Sequence, residues 1–309
     1  AVGLGKLDAA LPFFKTALEA NFSLAQFWYS YIDCFMRLKK FSEAKTLLIQ
    51  AKEKGAKGDA FDKVEQKLGS LELSFQSEIL RLKELTAQGK FKKVINISSS
   101  LVKSYPDAVD PHIFCGSANH ALKNYDLAIE SYHRILKIKP DFAEAHNNIG
   151  AALKEQGEFD AAIESYKQAL KIKPEYADAF NNIGIALKEK GEIDAAIENY
   201  ERALRIRPRY ADAHYNLGTA LAGNGDFDAA IDSYKRSLHI LPSRAESHYN
   251  MANALRNNGE FDAAIESYKQ ALKIKPDYAD ARYHMSLELL RDHQFEQGFK
   301  QKEWQWKTK

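Results

Sequence analysis

Between residues 143 and 278 the apolar residues follow one arrangement, which then starts again several times over. Across the first 34 residues of this span, Ala145, Ile149, Ala152 and Leu153 fall on one helical face and predict a first helix, A. Gly157 follows as a residue free to take positive φ and end that helix. Phe159, Ala162, Ile163, Tyr166, Ala169 and Leu170 then recur at steps of three and four and predict a second helix, B. Pro174 stops helix B and biases Lys173 out of the α region. Pro140, Pro174, Pro208, Pro242 and Pro276 are each 34 residues apart, so the helix pair repeats at that period.

Positions are numbered within each copy, from Ala143, Ala177, Ala211 and Ala245. Small residues stand where A meets B (Gly150, Ala162, Ala169), and large ones (Ile149, Leu153, Tyr166) are placed to fill the space between neighbouring hairpins. Ser243 with Glu246, and Asp141 with Glu144, have the spacing of a capping box at the next helix start. One hairpin cannot bury its apolar face alone, so the copies are expected to stack into an all-α solenoid.

Glycine at the eighth position (Gly150, Gly184, Gly218), alanine at the twentieth (Ala162, Ala196, Ala230, Ala264), tyrosine at the twenty-fourth (Tyr166, Tyr200, Tyr234, Tyr268) and the closing prolines resemble the tetratricopeptide repeat. That resemblance implies a right-handed superhelix of antiparallel helix pairs whose A helices line a concave groove.

Outside the regular copies the pattern weakens. Aligning Gly5 with Gly157 makes Leu7, Ala10, Leu11, Phe14, Ala17 and Leu18 a B helix without its A helix, so the sequence begins in mid-repeat. Residues 1–58 are expected to form a divergent repeat segment, in which Trp28 takes the fourth position and Phe22 replaces the closing proline. Residues 59–76 break register, and Phe61, Val64 and Leu68 suggest an extra helix acting as a joint. Residues 77–278 form the array proper, with a worn first copy ending near Pro106 and a second in which Lys123 stands for the turn glycine. Residues 279–309 are either a capping repeat or a seam to a further domain. There Phe299, Trp304 and Trp306 either fold back on the last hairpin or meet a neighbour, and the Trp304/Trp306 end offers a place for self-association. This tail resembles the end of the repeat region in bacterial tetratricopeptide proteins, where a transferase domain often follows.

Composition changes this picture little. At 309 residues and a net charge of +2, no bulk field points to nucleic acid or an anionic membrane, and no apolar run approaches a membrane span. A cytoplasmic location is the expectation. Cys34 and Cys115 give neither a disulfide framework nor a metal pattern, and Cys115 sits where Ile149 sits in the next copy, as a buried thiol would. His112, His146, His214 and His248 share the fourth position; neighbouring hairpins would hold them about 10 Å apart, too far to share an ion, so they read as packing residues. His239, His284 and His293 form no ligand-spaced cluster. Lys171, Lys173, Arg205 and Arg207 end B helices, where positive charge complements the helix dipole. No phosphate loop, nucleophile elbow or zinc-protease motif is present, so no catalytic residue, cofactor or metal is assigned.

One recurrence has no evident packing reason. Asn148, Asn182, Asn216 and Asn250 hold the sixth position, and asparagine gains nothing in the middle of a helix. Asn147, Asn181, Tyr215 and Tyr249 precede them, and Lys154 and Lys188 stand at the twelfth position. These ten residues are the candidate peptide-binding set. The row is similar to the asparagine ladder in the repeat region of the O-GlcNAc transferase family, which implies backbone contacts to an extended peptide. The carboxylate-clamp members of the repeat family want lysine at the fifth position and asparagine at the ninth; here Asn147 and Ala151 hold those places, against such a clamp. The function expected is a protein- or peptide-binding scaffold, the recognition arm of a larger protein. The alternative is the N-terminal region of a glycosyltransferase or other transferase whose catalytic domain lies beyond residue 309.

Overall fold

A computed structural model describes residues 7–292 and 294–307, the last four by backbone alone. Among the described residues there are seventeen α-helices and no strand. The chain divides into two compact units, Ala1–Ala145 and His146–Lys309.

The first unit holds α1 (Leu7–Ala20), α2 (Ala25–Arg37), α3 (Phe41–Glu53), a long α4 (Asp59–Ala87), α5 (Phe91–Ser104), α6 (Val109–Ala121) and α7 (Tyr125–Ile138). The register break lies inside α4: a single helix of 29 residues runs through it and on into the A helix of the worn copy. Tyr105 ties this part together. Its ring meets Phe41 at 5.2 Å and Phe75 at 4.7 Å, and its hydroxyl donates to the Leu71 carbonyl at 3.2 Å. Cys115, expected to be buried, is half-buried.

The second unit takes most of α8 (Ala143–Glu155), then α9 (Phe159–Ile172), α10 (Ala177–Glu189), α11 (Ile193–Ile206), α12 (Ala211–Gly223), α13 (Phe227–Ile240), α14 (Ala245–Asn257), α15 (Phe261–Ile274), α16 (Ala279–Arg291) and α17 (Phe295–Lys307). Each even-numbered helix is an A helix and each odd-numbered one its B partner, joined by a short turn. In the pairs begun by α8, α10 and α12 the two helices come close because the eighth residue is glycine. A Cβ built on Gly184 would lie 2.6 Å from Cε1 of Tyr200, and one on Gly218 2.9 Å from the Tyr234 ring. The tyrosine rings over these glycines are fully buried.

The A-to-B turn has the same form at Gly157, Gly191, Gly225 and Gly259. In the α10–α11 turn Gly191 stands at φ +84, its N–H donates to the Lys188 carbonyl at 2.9 Å, and the Glu192 N–H reaches back to Leu187 at 2.9 Å. This is the paired-bond end that a left-handed residue allows. Lys39 (φ 61) and Lys123 (φ 62) hold the same place in the first unit, so the turn persists where glycine is lost.

The capping box expected at Ser243 is corrected. Helix α14 begins at Ala245, so its N-cap is Arg244, which makes no side-chain cap bond, and Ser243 stands one residue too early to serve. The Arg244 side chain goes instead to Asp212. At the C-terminal end Ser286 and Gly298 are buried, whereas Phe299 is exposed and does not fold back on the last hairpin. The side chains of Trp304 and Trp306, like His293, lie outside the described residues.

A lysine in the left-handed region costs about 1–2 kcal/mol relative to glycine, partly offset by the looser unfolded chain that glycine brings. The variant Lys123→Gly should therefore gain about 0.5–1 kcal/mol in urea unfolding, and Gly191→Lys should lose about 1 kcal/mol. A loss of stability in Lys123→Gly would contradict the turn assignment.

Candidate functional site

At 3.6 residues per turn the fourth, seventh and eleventh positions of an A helix share one side, and the fifth, sixth, ninth and twelfth fall on a more open one, where the fifth and ninth still reach the tyrosine of the B partner. On that open side Asn148, Asn182, Asn216 and Asn250 are half-buried. The asparagines do have a structural partner, one repeat back. Asn182 Nδ2 donates to Asn147 Oδ1 at 3.0 Å, and Asn216 Nδ2 to Asn181 Oδ1 at 3.0 Å. Asn250 Nδ2 continues the series by donating to the Tyr215 hydroxyl at 3.0 Å. The fifth and sixth positions thus make one bond across each of three successive hairpin seams, with Asn147 and Asn181 buried beneath the row. Each bonded sixth-position carboxamide keeps a second N–H and its own oxygen.

The tyrosines are built into the packing. Tyr215 lies 6.1 Å from Tyr234 and carries the Arg244 guanidinium 4.9 Å over its ring. Tyr249 meets Tyr278 at 4.9 Å, His284 at 6.0 Å and Tyr268 at 6.1 Å. Lys154 and Lys188 sit on the open side as expected, but each pairs with the next residue, Glu155 at 2.6 Å and Glu189 at 3.2 Å. The basic helix ends are similarly engaged: Arg207 makes a two-bond fork to Asp178 at 3.0 and 2.9 Å.

Sequence reasoning missed what the fourth position does. His214 Nε2 donates to the Pro208 carbonyl at 2.9 Å and His248 Nε2 to the Pro242 carbonyl at 3.2 Å. His112 bonds the Pro106 carbonyl in the same way. Trp28 Nε1 reaches Phe22 at 2.9 Å, and Arg282 reaches Pro276 at 2.7 Å. In every case a side-chain N–H meets the carbonyl six residues earlier, at the residue that closes the previous copy. That donor, recurring six residues after Phe22 and after the prolines, was the signal in the sequence. In these copies it ties the loop to the start of the next A helix, whereas Phe180 after Pro174 has no side-chain donor to do so. Since the carbonyl accepts from Nε2–H, Nδ1 of His214 and His248 bears no proton, and both Nδ1 atoms are buried without a partner.

The ninth position decides the tyrosine hydroxyls. Tyr234 donates to Thr219 at 3.3 Å and Tyr268 to Asn253 at 2.6 Å. Ala151 and Ile185 hold that place in the two preceding copies, and the buried Tyr166 and Tyr200 hydroxyls have no partner there. Burial pushes all four phenols up, Tyr234 to about 12.

These helix pairs, with a glycine under a tyrosine and a closing proline, define an all-α helical-repeat protein. The chain belongs to the tetratricopeptide repeat family: the repeat matches over residues 116–157, 152–191 and 186–225, over 211–244 and 245–278, and over 1–57. No curated protein matches in sequence. Among solved structures it is similar to the APC/C hetero-tetramer Cut9–Hcn1 (TM-score 0.59, 18% identity, covering 96% of this chain and 55% of that one). It is also similar to PilF of Pseudomonas aeruginosa (TM-score 0.59, 18% identity, 68% of this chain and 96% of that one). Both share the fold. The MamA protein is 28% identical over 56% of this chain and 94% of its own, at a TM-score of 0.48.

Burial lowers the pKa of His112, His214 and His248 below the ordinary 6.5. Below about pH 6.5 the unfolded chain therefore binds more protons than the folded one, and stability falls as pH falls. The melting temperature should drop between pH 7.5 and pH 5.5, and the triple variant His112→Gln, His214→Gln, His248→Gln should drop less over that range. An equal drop in the variant would contradict the role given to these rings.

Proposed function

We propose that this chain is a non-catalytic protein-binding scaffold that holds an extended peptide along Asn148, Asn182, Asn216 and Asn250. One observation carries the reading: the inter-repeat bonds at 3.0 Å spend a single N–H of Asn182, Asn216 and Asn250 and set their orientation. A carboxamide held that way still offers one donor and one acceptor, which is what a peptide unit needs. Preorganisation favours binding because the side chains lose little freedom when the ligand arrives. Asn147, Asn181 and Tyr215 act from beneath, as supports for the row. Tyr249, with Lys154 and Lys188, contributes the flanking surface.

Against nucleic acid stand the pairing of the groove lysines with glutamates and the use of the tyrosines as packing. No helix among the described residues is long and apolar enough to cross a membrane. The likeness to the O-GlcNAc transferase ladder rests on the sixth-position asparagines alone, and nothing in the geometry favours the transferase alternative.

The test uses a peptide selected from a random library on the wild-type chain. Changing all four asparagines to alanine should weaken its binding at least about tenfold and, by removing three seam bonds of about 0.5–1.5 kcal/mol each, lower the melting temperature by several degrees. The companion variant Asn147→Ala, Asn181→Ala, Tyr215→Phe removes the acceptors instead; it should lose similar stability and, with the carboxamides present but no longer held, weaken binding by less than the fourfold variant does. Wild-type affinity in the fourfold variant, or failure to select any peptide, would overturn the reading.

A further inference from the structure

The twelfth position changes character along the open face. Lys154 and Lys188 are each neutralised by the following glutamate. The next copy carries Ala222 and Gly223, with no charge at all. In the copy after that Arg256 arrives and the acid is gone, replaced by Asn257. Arg256 has no carboxylate partner among the described residues. Its Nη1 donates to His284 Nδ1 at 2.9 Å, and its Nη2 lies 3.5 Å from Asn257 Oδ1. A neutral imidazole thus holds the guanidinium in place without cancelling its charge, and the remaining N–H groups of the fork are unspent.

The surroundings are rigid. Tyr249, Asn253 and Arg256 stand at steps of four and three on α14, so they share one face. Tyr249 is wedged between Tyr278 and His284, and Asn253 is held by the Tyr268 hydroxyl. A half-buried, oriented guanidinium in an aromatic setting binds a carboxylate through paired, charge-assisted bonds, and more strongly than an exposed one in water.

We infer that Arg256, positioned by His284 and walled by Tyr249, is an acidic-side-chain subsite that sets which peptides the groove accepts and in which register. The row of asparagines reads the main chain without regard to side chains, and Arg256 supplies the discrimination. The glutamate or aspartate of the partner meets the fork where the row ends at Asn250. The inference rests on the peptide-groove reading above.

The test is fluorescence anisotropy with labelled twelve-residue serine–threonine peptides carrying one glutamate, scanned through the sequence, and matched peptides with glutamine instead. The wild-type chain should favour glutamate about tenfold at one place in the scan, and the preference should shrink in high salt. Arg256→Gln should bring the two peptides within about twofold while leaving the glutamine peptide's affinity unchanged. Arg256→Lys, which keeps the charge and loses the fork, should retain part of the preference. The fourfold asparagine variant should weaken both peptides alike. Equal binding of glutamate and glutamine peptides, or a preference that survives Arg256→Gln with an unchanged melting temperature, overturns the subsite alone. If the wild type binds neither peptide, the groove reading falls and the subsite with it.

Discussion

Three successive hairpins, at Gly150, Gly184 and Gly218, close on the same contact, a tyrosine ring laid over a residue that has no room for a side chain. At Gly184 an added methyl would stand 2.6 Å from the Tyr200 ring, inside any real carbon–carbon contact. Glycine in the middle of a helix costs about 0.5–1 kcal/mol against alanine, so its recurrence needs a compensating gain. The gain is a fully buried aromatic ring and two helix backbones brought close together. That spacing sets where the open side of each A helix lies, and with it the row that carries the candidate site. Ala252 is the departure: the eighth position carries a methyl there, and Tyr268 is still fully buried, its hydroxyl bonded to Asn253.

Apolar stacking alone leaves one hairpin free to slide on the next, because buried area is not directional. Two sets of polar bonds remove that freedom in the second unit. One ties the fourth-position side chain to the carbonyl that ended the previous copy. The other links the sixth position to the fifth position of the copy before it, on the open side. A fold stabilised chiefly by burial therefore carries hydrogen bonds that set register. The candidate site is made of the second set, so recognition and alignment share the same amides.

The period of 34, the helix pairs and the turn at Gly157 were legible in the chain because they depend on neighbours a few residues apart. The same is true of Ala162 and Ala169, fully buried as their spacing implied, whereas Tyr166, expected between neighbouring hairpins, lies over Gly150 within its own. What escaped was anything settled at longer range or by backbone geometry. Lys39 does not look like a turn residue, yet the surrounding helices hold it at positive φ. The partner of Asn182 is 35 residues away, so an asparagine that seemed idle in its own helix is bonded in space. Ser243 had the right spacing for a cap, but the helix begins one residue later than that spacing assumes. Lys154 and Lys188 looked like free groove charges because pairing between adjacent residues on one helix is not part of the usual pattern. Arg256 was passed over because it occurs once, and a search for repetition is blind to the copy that differs.

The central claim is that the sixth-position carboxamides touch a peptide main chain directly. Asparagine-selective 15N labelling makes each side-chain amide visible by NMR while a selected peptide is titrated in. The Nδ2 signals of Asn182, Asn216 and Asn250 should shift in step with binding. The signal of Asn199, which donates to the Ala195 carbonyl at 2.8 Å within α11, should stay where it is. A peptide that saturates the protein while the row's signals remain unmoved would contradict the account.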